Sequence, residues 1–291
     1  MMENVIELRN VNKSFKGFQV KDLSIAVKKG FVTGFIGGNG AGKSTTIKLI
    51  MNLLKQDSGT VSVFGQTHET HERAIKERIG FVYDENIFYE DLPLKDMKKI
   101  IQPAYQKWDD GLFNKYIEQF ELPLNKKIKT FSKGMKMKAS LAIALSHQAE
   151  LIIMDEPTSG LDPVFRRELL NILHELMQDG DKTIFFSTHI TTDLDRIADY
   201  IIFLNNGEHV FTKEFYKIEE DYAIVKGPLD LLDPDTEREF VAVQKTNLGF
   251  EALTMNKERA AGLFGGAVVM EKPTLEDIMY YTKKGEFEWL T

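Results

Sequence analysis

The segment GGNGAGKST, residues 37–45, satisfies the pattern GxxxxGK[ST] and lies between two apolar segments of different periodicity. Before it, Val32–Ile36 is a short apolar run with β-branched residues, which predicts a buried parallel strand. After it, Ile47, Ile50 and Leu54 recur at helical spacing. A glycine loop between a strand and a helix is an arrangement that binds the phosphate groups of nucleotides.

The residue types of this loop suit phosphate binding. Glycine lacks a Cβ, so backbone N–H groups can approach a phosphate closely, and the helix N-terminus adds a partial positive charge. We expect the Lys43 ammonium to contact the β- and γ-phosphates and the Ser44 hydroxyl to ligate Mg²⁺. The alternative is a glycine-rich turn that only connects two elements. The predicted nucleotide contacts in the loop are Gly37, Asn39, Gly40, Ala41, Gly42, Lys43, Ser44 and Thr45.

A second segment, LIIMDEPTSGLD at residues 151–162, ends an apolar run with two adjacent carboxylates. A buried parallel strand delivers side chains to the carboxyl edge of its sheet in this way. We expect Asp155 to hold the metal, directly or through water, and Glu156 to orient and deprotonate the attacking water. Neighbouring strand residues point to opposite sides, so the two acids can take different roles. The alternative is a strand followed by an acidic turn.

In this order, the two motifs resemble those of the ATPase subunits of ATP-binding cassette (ABC) transporters, over about residues 6–211. Within the resemblance, FSKGM at residues 131–135 takes the place of the family signature, and Ser132 and Gly134 match it. The resemblance implies that these two residues contact ATP held by a second subunit. Ser132 could also serve only as a helix cap.

Three further positions gain a role from the resemblance. SGLD at residues 159–162 matches a loop that passes between two subunits. His189 matches a histidine that hydrogen-bonds the γ-phosphate, and Phe15 matches an aromatic residue that stacks on adenine. The alternatives are a structural histidine at a strand end and a core phenylalanine.

Two motifs depart from the family pattern. In the signature, Lys133 replaces a glycine and Met135 a glutamine. A lysine there either adds positive charge near the γ-phosphate of the partner's nucleotide or points to solvent. Farther upstream, Asp84 stands where the family has a glutamine that touches Mg²⁺, and a shift of one residue would nominate Glu85 instead. A carboxylate can ligate the metal but cannot donate an amide hydrogen.

The resemblance implies an α/β fold, a P-loop NTPase of the ABC type with a mostly parallel sheet and a β-rich N-terminal part. Alternating strand and helix patterns after residue 151 favour the same class. We expect a nucleotide-binding domain at residues 1–219, with a helical subdomain at about 86–149 that contacts a membrane partner. Residues 220–291 are expected to form a small α+β accessory domain without a chemical motif.

Composition limits the partners of the chain. The 291 residues include no cysteine, which excludes disulfides and thiolate metal sites, and carry a formal net charge of −7, which disfavours a general nucleic-acid coat. No apolar run approaches the roughly 18 to 20 residues of a membrane-spanning helix. By resemblance we therefore expect a separately encoded membrane permease, a second ATPase copy in a head-to-tail dimer, no nucleic acid, and a location at the cytoplasmic face of the membrane.

The form of the signature, the missing glutamine and the C-terminal region resemble ATPases of bacterial exporters for antibiotics and amphipathic peptides, of the bacitracin-resistance and phenol-soluble-modulin types. Export of such a compound is the function this implies, with ATP and Mg²⁺ as cofactors. One alternative is a soluble ATP-driven clamp acting on a ribosome or nucleic acid. Another is a regulatory subunit that binds ATP without hydrolysing it, which Glu156 and His189 disfavour.

Overall fold

The computed structural model describes residues 3–83, 88–178 and 180–288. It divides into two compact units, Met1–Thr212 and Lys213–Thr291. This division lies seven residues before the boundary predicted from the sequence (219 minus 212). Within the described residues, no helix is long and apolar enough to cross a membrane.

The elements that begin in the first unit alternate between strand and helix after a β-rich start. The strands are β1 (Asn4–Phe15), β2 (Phe18–Lys28), β3 (Val32–Ile36), β4 (Ser58–Val63), β5 (Ile79–Val82), β6 (Leu151–Asp155), β7 (Thr183–Thr188), β8 (Tyr200–Asn205) and β9 (Glu208–Glu214). The helices are α1 (Lys43–Ile50), α2 (His68–Lys76), α3 (Leu94–Ile101), α4 (Asp110–Gln119), α5 (Lys133–Ser146), α6 (Pro163–Met177) and α7 (Leu194–Ile197).

Two sheets form the first unit. The larger has the order β5-β6-β7-β3-β8-β9, and the pairs from β5 to β8 are parallel. Every residue of β3, β6 and β7 is buried, as expected for strands covered on both faces. The smaller sheet, β2-β1-β4, is antiparallel. The predicted α/β class with a mostly parallel sheet is therefore confirmed.

The parallel order places the functional loops at one edge. The carboxyl ends of β3, β6 and β7 lie side by side, because Ile36 pairs with Thr188 and Asp155 pairs with Ser187. The loops that follow these strands therefore converge, as in other open α/β sheets.

Helix α5 packs closely against β5 at Gly80. A Cβ added at Gly80 would lie only 2.7 Å from the Cβ of Ala144, so glycine permits this close approach. The helical range predicted for the subdomain contains α3, α4 and α5 among its described residues. That residues 86–149 contact a membrane partner stays a prediction.

The second unit is a small α+β structure. Its elements are α8 (Phe215–Asp221), β10 (Ala223–Gly227), α9 (Pro234–Glu237), β11 (Ala242–Thr246), β12 (Gly249–Thr254), α10 (Lys257–Phe264), β13 (Val269–Glu271) and α11 (Leu275–Glu288). The strands form an antiparallel sheet in the order β11-β12-β10-β13. Phe240, Phe250 and Phe264 make its aromatic core, with ring centroids 5.8 to 6.2 Å apart.

A buried histidine makes the stability of the first unit depend on pH. His147 is 1% exposed and its ring stacks on Tyr105, with centroids 3.9 Å apart. Burial lowers the pKa of His147 from 6.5 to about 4, and the nearby Lys182 ammonium acts in the same direction. The folded protein therefore holds this ring neutral while the unfolded chain takes up a proton near pH 6.5.

We expect the free energy of unfolding to fall as pH drops from about 6.5 to about 4, by about 2 kcal/mol at pH 5 from this group alone. Urea unfolding followed by Trp108 fluorescence at neutral pH and at pH 5 would measure it. The variant His147→Phe should lose this part of the pH dependence, and His174→Phe, at an exposed position, should keep it. An unchanged pH dependence in His147→Phe would contradict the assignment.

Candidate functional site

The phosphate loop connects β3 to α1, and three of its glycines, Gly37, Gly40 and Gly42, occupy positions where a side chain would be strained. Gly40 and Gly42 have φ values of 79° and 106°, in the left-handed region that favours glycine. A Cβ at Gly37 would lie 2.4 Å from the carbonyl oxygen of Leu204. Helix α1 begins after Gly42 without a side-chain cap, so its first N–H groups are available to an anion.

The turn between β8 and β9 supports the phosphate loop through backbone hydrogen bonds at Gly207. The Gly207 N–H donates to the Ala41 carbonyl at 2.9 Å, and the Gly207 carbonyl accepts from the Lys21 N–H at 3.0 Å. A Cβ at Gly207 would lie 1.8 Å from the Gln19 carbonyl oxygen. The turn between β8 and β9 thus fixes the phosphate loop against β2.

Lys43 and Glu156 meet over this loop. The Lys43 side chain is 6% exposed, and its ammonium donates to the Gly37 carbonyl at 2.8 Å and lies 3.2 Å from Glu156 Oε1. A buried ammonium surrounded by carbonyl and carboxylate oxygens can exchange these partners for phosphate oxygens when a nucleotide enters. The geometry suits the phosphate contact predicted for Lys43.

His189 holds the other oxygen of the same carboxylate. Its Nδ1 lies 2.6 Å from Glu156 Oε2, and its backbone N–H donates to that oxygen at 3.1 Å. Glu156 has a left-handed backbone with a φ of 49°, and its N–H donates to the Ser187 carbonyl at 3.0 Å. The carboxylate is thus oriented from two sides, by a lysine and a histidine.

Asp155 lies behind Glu156 at the end of β6. It is 4% exposed and accepts a hydrogen bond from the Ser187 hydroxyl at 2.6 Å. Asp155 does not line the cavity beside the phosphate loop, whereas the exposed Ser44 does. The sequence left open whether Asp155 holds the metal directly or through water, and this placement favours contact through water.

The loops enclose a cavity of about 670 Å³, large enough for a nucleotide. It is lined at one end by Gly17 and Phe18 rather than by Phe15, which is 45% exposed beside Phe18 with ring centroids 6.4 Å apart. Gly37 lies outside the lining and contributes its carbonyl to Lys43. The cavity is lined by Gly17, Phe18, Gly38, Asn39, Gly40, Ala41, Gly42, Lys43, Ser44, Thr45, Glu156, Ser159 and His189.

The signature residues line a different cavity of about 540 Å³. Ser132 caps α5 by accepting from the Met135 N–H at 3.2 Å, and Gly134 packs against Phe165, whose ring would lie 2.8 Å from an added Cβ. The two cavities share no lining residue, so the structure of one chain does not bring Ser132 and Gly134 to Lys43. Asp84 and Glu85 lie outside the described residues, and their predicted metal contact stays a prediction.

The oxygen ligands near the phosphate loop fit Mg²⁺. This ion usually takes one or two protein oxygens together with phosphate oxygens and water, rather than an all-protein cage. Ser44 offers a hydroxyl and Asp155 a buried carboxylate of the required kind. Among the described residues there is no group of three or more His, Asp or Glu side chains that could hold a metal ion.

Comparison with known proteins identifies the family. The sequence matches the family model for ABC transporters over residues 20–159. The ABC transporter ATP-binding protein YtrB of Bacillus subtilis (strain 168) is 31% identical over 227 residues, which cover 78% of this chain and 77% of YtrB. The chain belongs to the ABC transporter family.

Two further matches refine the position of this ABC protein. Bacitracin transport ATP-binding protein BcrA of Bacillus licheniformis is 32% identical over 210 residues, covering 71% of this chain and 69% of BcrA. A solved structure of the ATP-binding subunit of an ABC transporter superposes with a TM-score of 0.67 at 28% identity, covering 74% of this chain and 92% of that one. None of these three proteins is described as acting on ribosomes or nucleic acid.

These matches confirm the P-loop NTPase fold and the ATPase activity predicted from the sequence. This ABC protein is the ATP-hydrolysing subunit of a transporter, and such subunits dimerise and work with separate membrane permeases. The sequence did not indicate Phe18 or Ser187 as site residues, and it placed Ser159 in a loop between subunits rather than at the cavity. For Phe18 a signal was available, because it follows Gly17 and lies three residues after Phe15.

Proposed function

We propose that this ABC protein hydrolyses MgATP to drive a separately encoded permease that exports an antibiotic or an amphipathic peptide. The observation that carries the chemistry is the Glu156 carboxylate held between Lys43, at 3.2 Å, and His189, at 2.6 Å, beside the phosphate loop. The similarity to BcrA, a bacitracin transport protein, supports the substrate class.

The proposed reaction begins when the triphosphate binds in the cavity of about 670 Å³. Lys43 exchanges Glu156 and the Gly37 carbonyl for phosphate oxygens, because two phosphate groups offer it more negative charge. Glu156 is then free to orient a water molecule and accept its proton during attack on the γ-phosphate. His189 donates a hydrogen bond toward the transferred group.

Mg²⁺ would be held by the Ser44 hydroxyl and, through water, by Asp155. When bound, it neutralises charge that develops on the phosphate oxygens. The Ser187 hydroxyl donates to the Asp155 carboxylate at 2.6 Å and restricts its rotation. Asp84 is proposed as a further ligand on the basis of its sequence position.

We further propose that two copies pack head to tail. One chain carries one phosphate loop and one signature, and these line separate cavities. A second copy would bring its Ser132 and Gly134 to the exposed side of the nucleotide. The N-terminal end of α5 would then face the γ-phosphate, where a helix N-terminus stabilises negative charge.

The location proposed is the cytoplasmic face of the membrane, through the permease, and no nucleic acid is required. The accessory domain, residues 220–291, is proposed to serve dimerisation or regulation. The helical subdomain, residues 86–149, is proposed to contact the permease. The family resemblance of the helical subdomain supports its part of this proposal.

Deleting this protein from its native host tests the proposal. We expect the deletion strain to become several-fold more sensitive to a peptide antibiotic such as bacitracin. The parent chain and Glu175→Gln, an exposed position on α6, should restore resistance, and Glu156→Gln should not. Affinity purification of the tagged parent in detergent should recover a multi-span membrane protein. Recovery of ribosomes or DNA without such a protein would contradict the proposal.

A further inference from the structure

A salt bridge joins the start of α6 to the segment that follows β7. The Arg166 Nε donates to Asp193 Oδ1 at 2.5 Å, and its Nη2 donates to the Thr192 hydroxyl at 2.9 Å. Arg166 lies near the N-terminus of α6, where its backbone N–H donates to the Asp162 carbonyl at 2.9 Å. Asp193 follows His189 by four residues (193 minus 189). The salt bridge therefore connects α6 with the segment that carries His189.

The segment between His189 and Asp193 is short and internally hydrogen-bonded. Thr191–Asp193 form a single 3-10 turn, and the Asp193 N–H donates to the Ile190 carbonyl at 3.2 Å. The Ile190 N–H in turn donates to the Thr188 hydroxyl at 2.9 Å, at the end of β7. The position of the Asp193 carboxylate therefore constrains the backbone of His189.

Packing alone does not explain why a carboxylate is buried at this position. Asp193 is 1% exposed, and its Oδ2 is buried without a hydrogen-bond partner among the described residues. Replacing a buried ion pair with apolar side chains often leaves stability unchanged or raises it, and an unpaired buried oxygen adds a further cost. The salt bridge with Arg166 is therefore a costly way to stabilise the fold, which favours a role in positioning.

The same two segments also meet at the phosphate loop. There His189 Nδ1 lies 2.6 Å from Glu156 Oε2, and the His189 backbone N–H donates to that oxygen at 3.1 Å. The segment from Glu156 to Arg166 and the segment from His189 to Asp193 are thus joined at both ends. Sliding of one segment past the other would break the contacts at both ends.

We propose that Arg166 and Asp193 are positioning residues that hold His189 against the Glu156 carboxylate, an inference that rests on the proposed roles of Glu156 and His189 in hydrolysis. These two side chains would align the attacking water and the γ-phosphate, and a displacement of about 1 Å is enough to slow such a reaction. Neither Arg166 nor Asp193 lines the cavity beside the phosphate loop. The salt bridge therefore acts on turnover and not on the binding of ATP.

The test separates positioning from stability with two variants of the full chain. Arg166→Met removes the guanidinium and leaves the Asp193 carboxylate buried without its cation. Arg166→Met combined with Asp193→Asn removes that buried charge as well, but does not restore the salt bridge. Arg167→Met is the matched control, because Arg167 is exposed on the same helix and lines the same cavity of about 260 Å³ as Arg166. Phosphate release gives kcat and KM, and urea unfolding gives the free energy of unfolding.

We expect Arg166→Met and the double variant to lower kcat by about 10- to 100-fold with an unchanged KM for MgATP, the pattern of a misplaced reacting group. The free energy of unfolding should fall in Arg166→Met and recover in the double variant, while kcat stays low in both. Arg167→Met should match the parent in all three quantities. Recovery of kcat together with stability in the double variant would overturn the positioning role.

Glu156→Gln and His189→Ala, assayed beside these variants, separate this inference from the proposed function. If both hydrolyse ATP slowly while the double variant keeps the parent kcat, only the role of Arg166 and Asp193 is overturned. If Glu156→Gln and His189→Ala both hydrolyse ATP at the parent rate, the proposed chemistry is wrong, and this inference fails with it.

Discussion

Replacing Glu156 with glutamine is expected to slow ATP hydrolysis by about 10²- to 10⁴-fold, the usual contribution of a general base. Glutamine retains the shape of the side chain but cannot accept a proton from water. Binding of MgATP should persist or become tighter, because the carboxylate that faces Lys43 at 3.2 Å also opposes the incoming phosphates. Phosphate release and equilibrium binding of a fluorescent ATP analogue would measure the two effects separately.

The control for this experiment is Glu175→Gln, which removes one carboxylate from an exposed position of α6. It should hydrolyse ATP at the parent rate. Parent-like turnover by Glu156→Gln would show that another group accepts the proton. The positions of Lys43 and His189 around the carboxylate would then have only a structural meaning.

Replacing Lys43 with alanine is expected to weaken MgATP binding by about 10- to 100-fold, since a hydrogen bond to a charged group contributes about 1.5 to 3 kcal/mol. The loss should appear in binding itself and not only in turnover, because the ammonium would contact the phosphates already in the ground state. Isothermal titration with MgATP, in protein that also carries Glu156→Gln, measures the affinity without hydrolysis.

Lys48→Ala is the matched control for Lys43→Ala, because Lys48 is an exposed lysine on the same helix. Its affinity for MgATP should equal that of the parent. Equal affinity of Lys43→Ala and the parent would mean that the backbone N–H groups of the loop suffice, and the interpretation of residues 37–45 would need revision.

The sequence predicted the central elements of the first unit closely. Strand β3 has the predicted bounds, because an uninterrupted apolar run is a strong local signal. A helix-starting proline predicts a helix at residues 163–177, and α6 has these bounds. Apolar spacing predicts a helix at residues 46–54, whereas α1 begins three residues earlier, at Lys43, because the N-terminal turn of the helix is part of the phosphate motif. Apolar periodicity alone does not show that turn.

The second unit was predicted less well. Short apolar runs predict strands at residues 221–225, 240–244 and 267–270, and the corresponding strands β10, β11 and β13 begin two residues later. Strand β12 was not predicted. The hairpin of β11 and β12 turns at Asn247 and Leu248, and the next residue, Gly249, has a φ of 146°, which glycine can adopt because it lacks a Cβ. Strand bounds of this kind depend on partners distant in the sequence.

The convergence of Lys43, Glu156 and His189 could be anticipated, since each follows a strand of a parallel sheet. The residues at the end of the cavity that would hold the nucleotide base could not be anticipated. Phe15 and Phe18 pair across the β1–β2 turn, and only the register of that hairpin determines which ring lines the cavity. Ser187 carried no motif, and its contact with Asp155 arises from strand pairing alone.

The backbone crossing at Gly207 limits how this protein can be engineered. The sequence NNG at residues 205–207 resembles a permissive hairpin tip, where a reporter domain or an affinity tag would ordinarily be inserted. Gly207 forms backbone hydrogen bonds with Lys21 and Ala41, and the carbonyl oxygen of Gln19 leaves no room for a Cβ at residue 207. A randomised library screened for ATP turnover would therefore return glycine at codon 207, and biosensor fusions belong elsewhere.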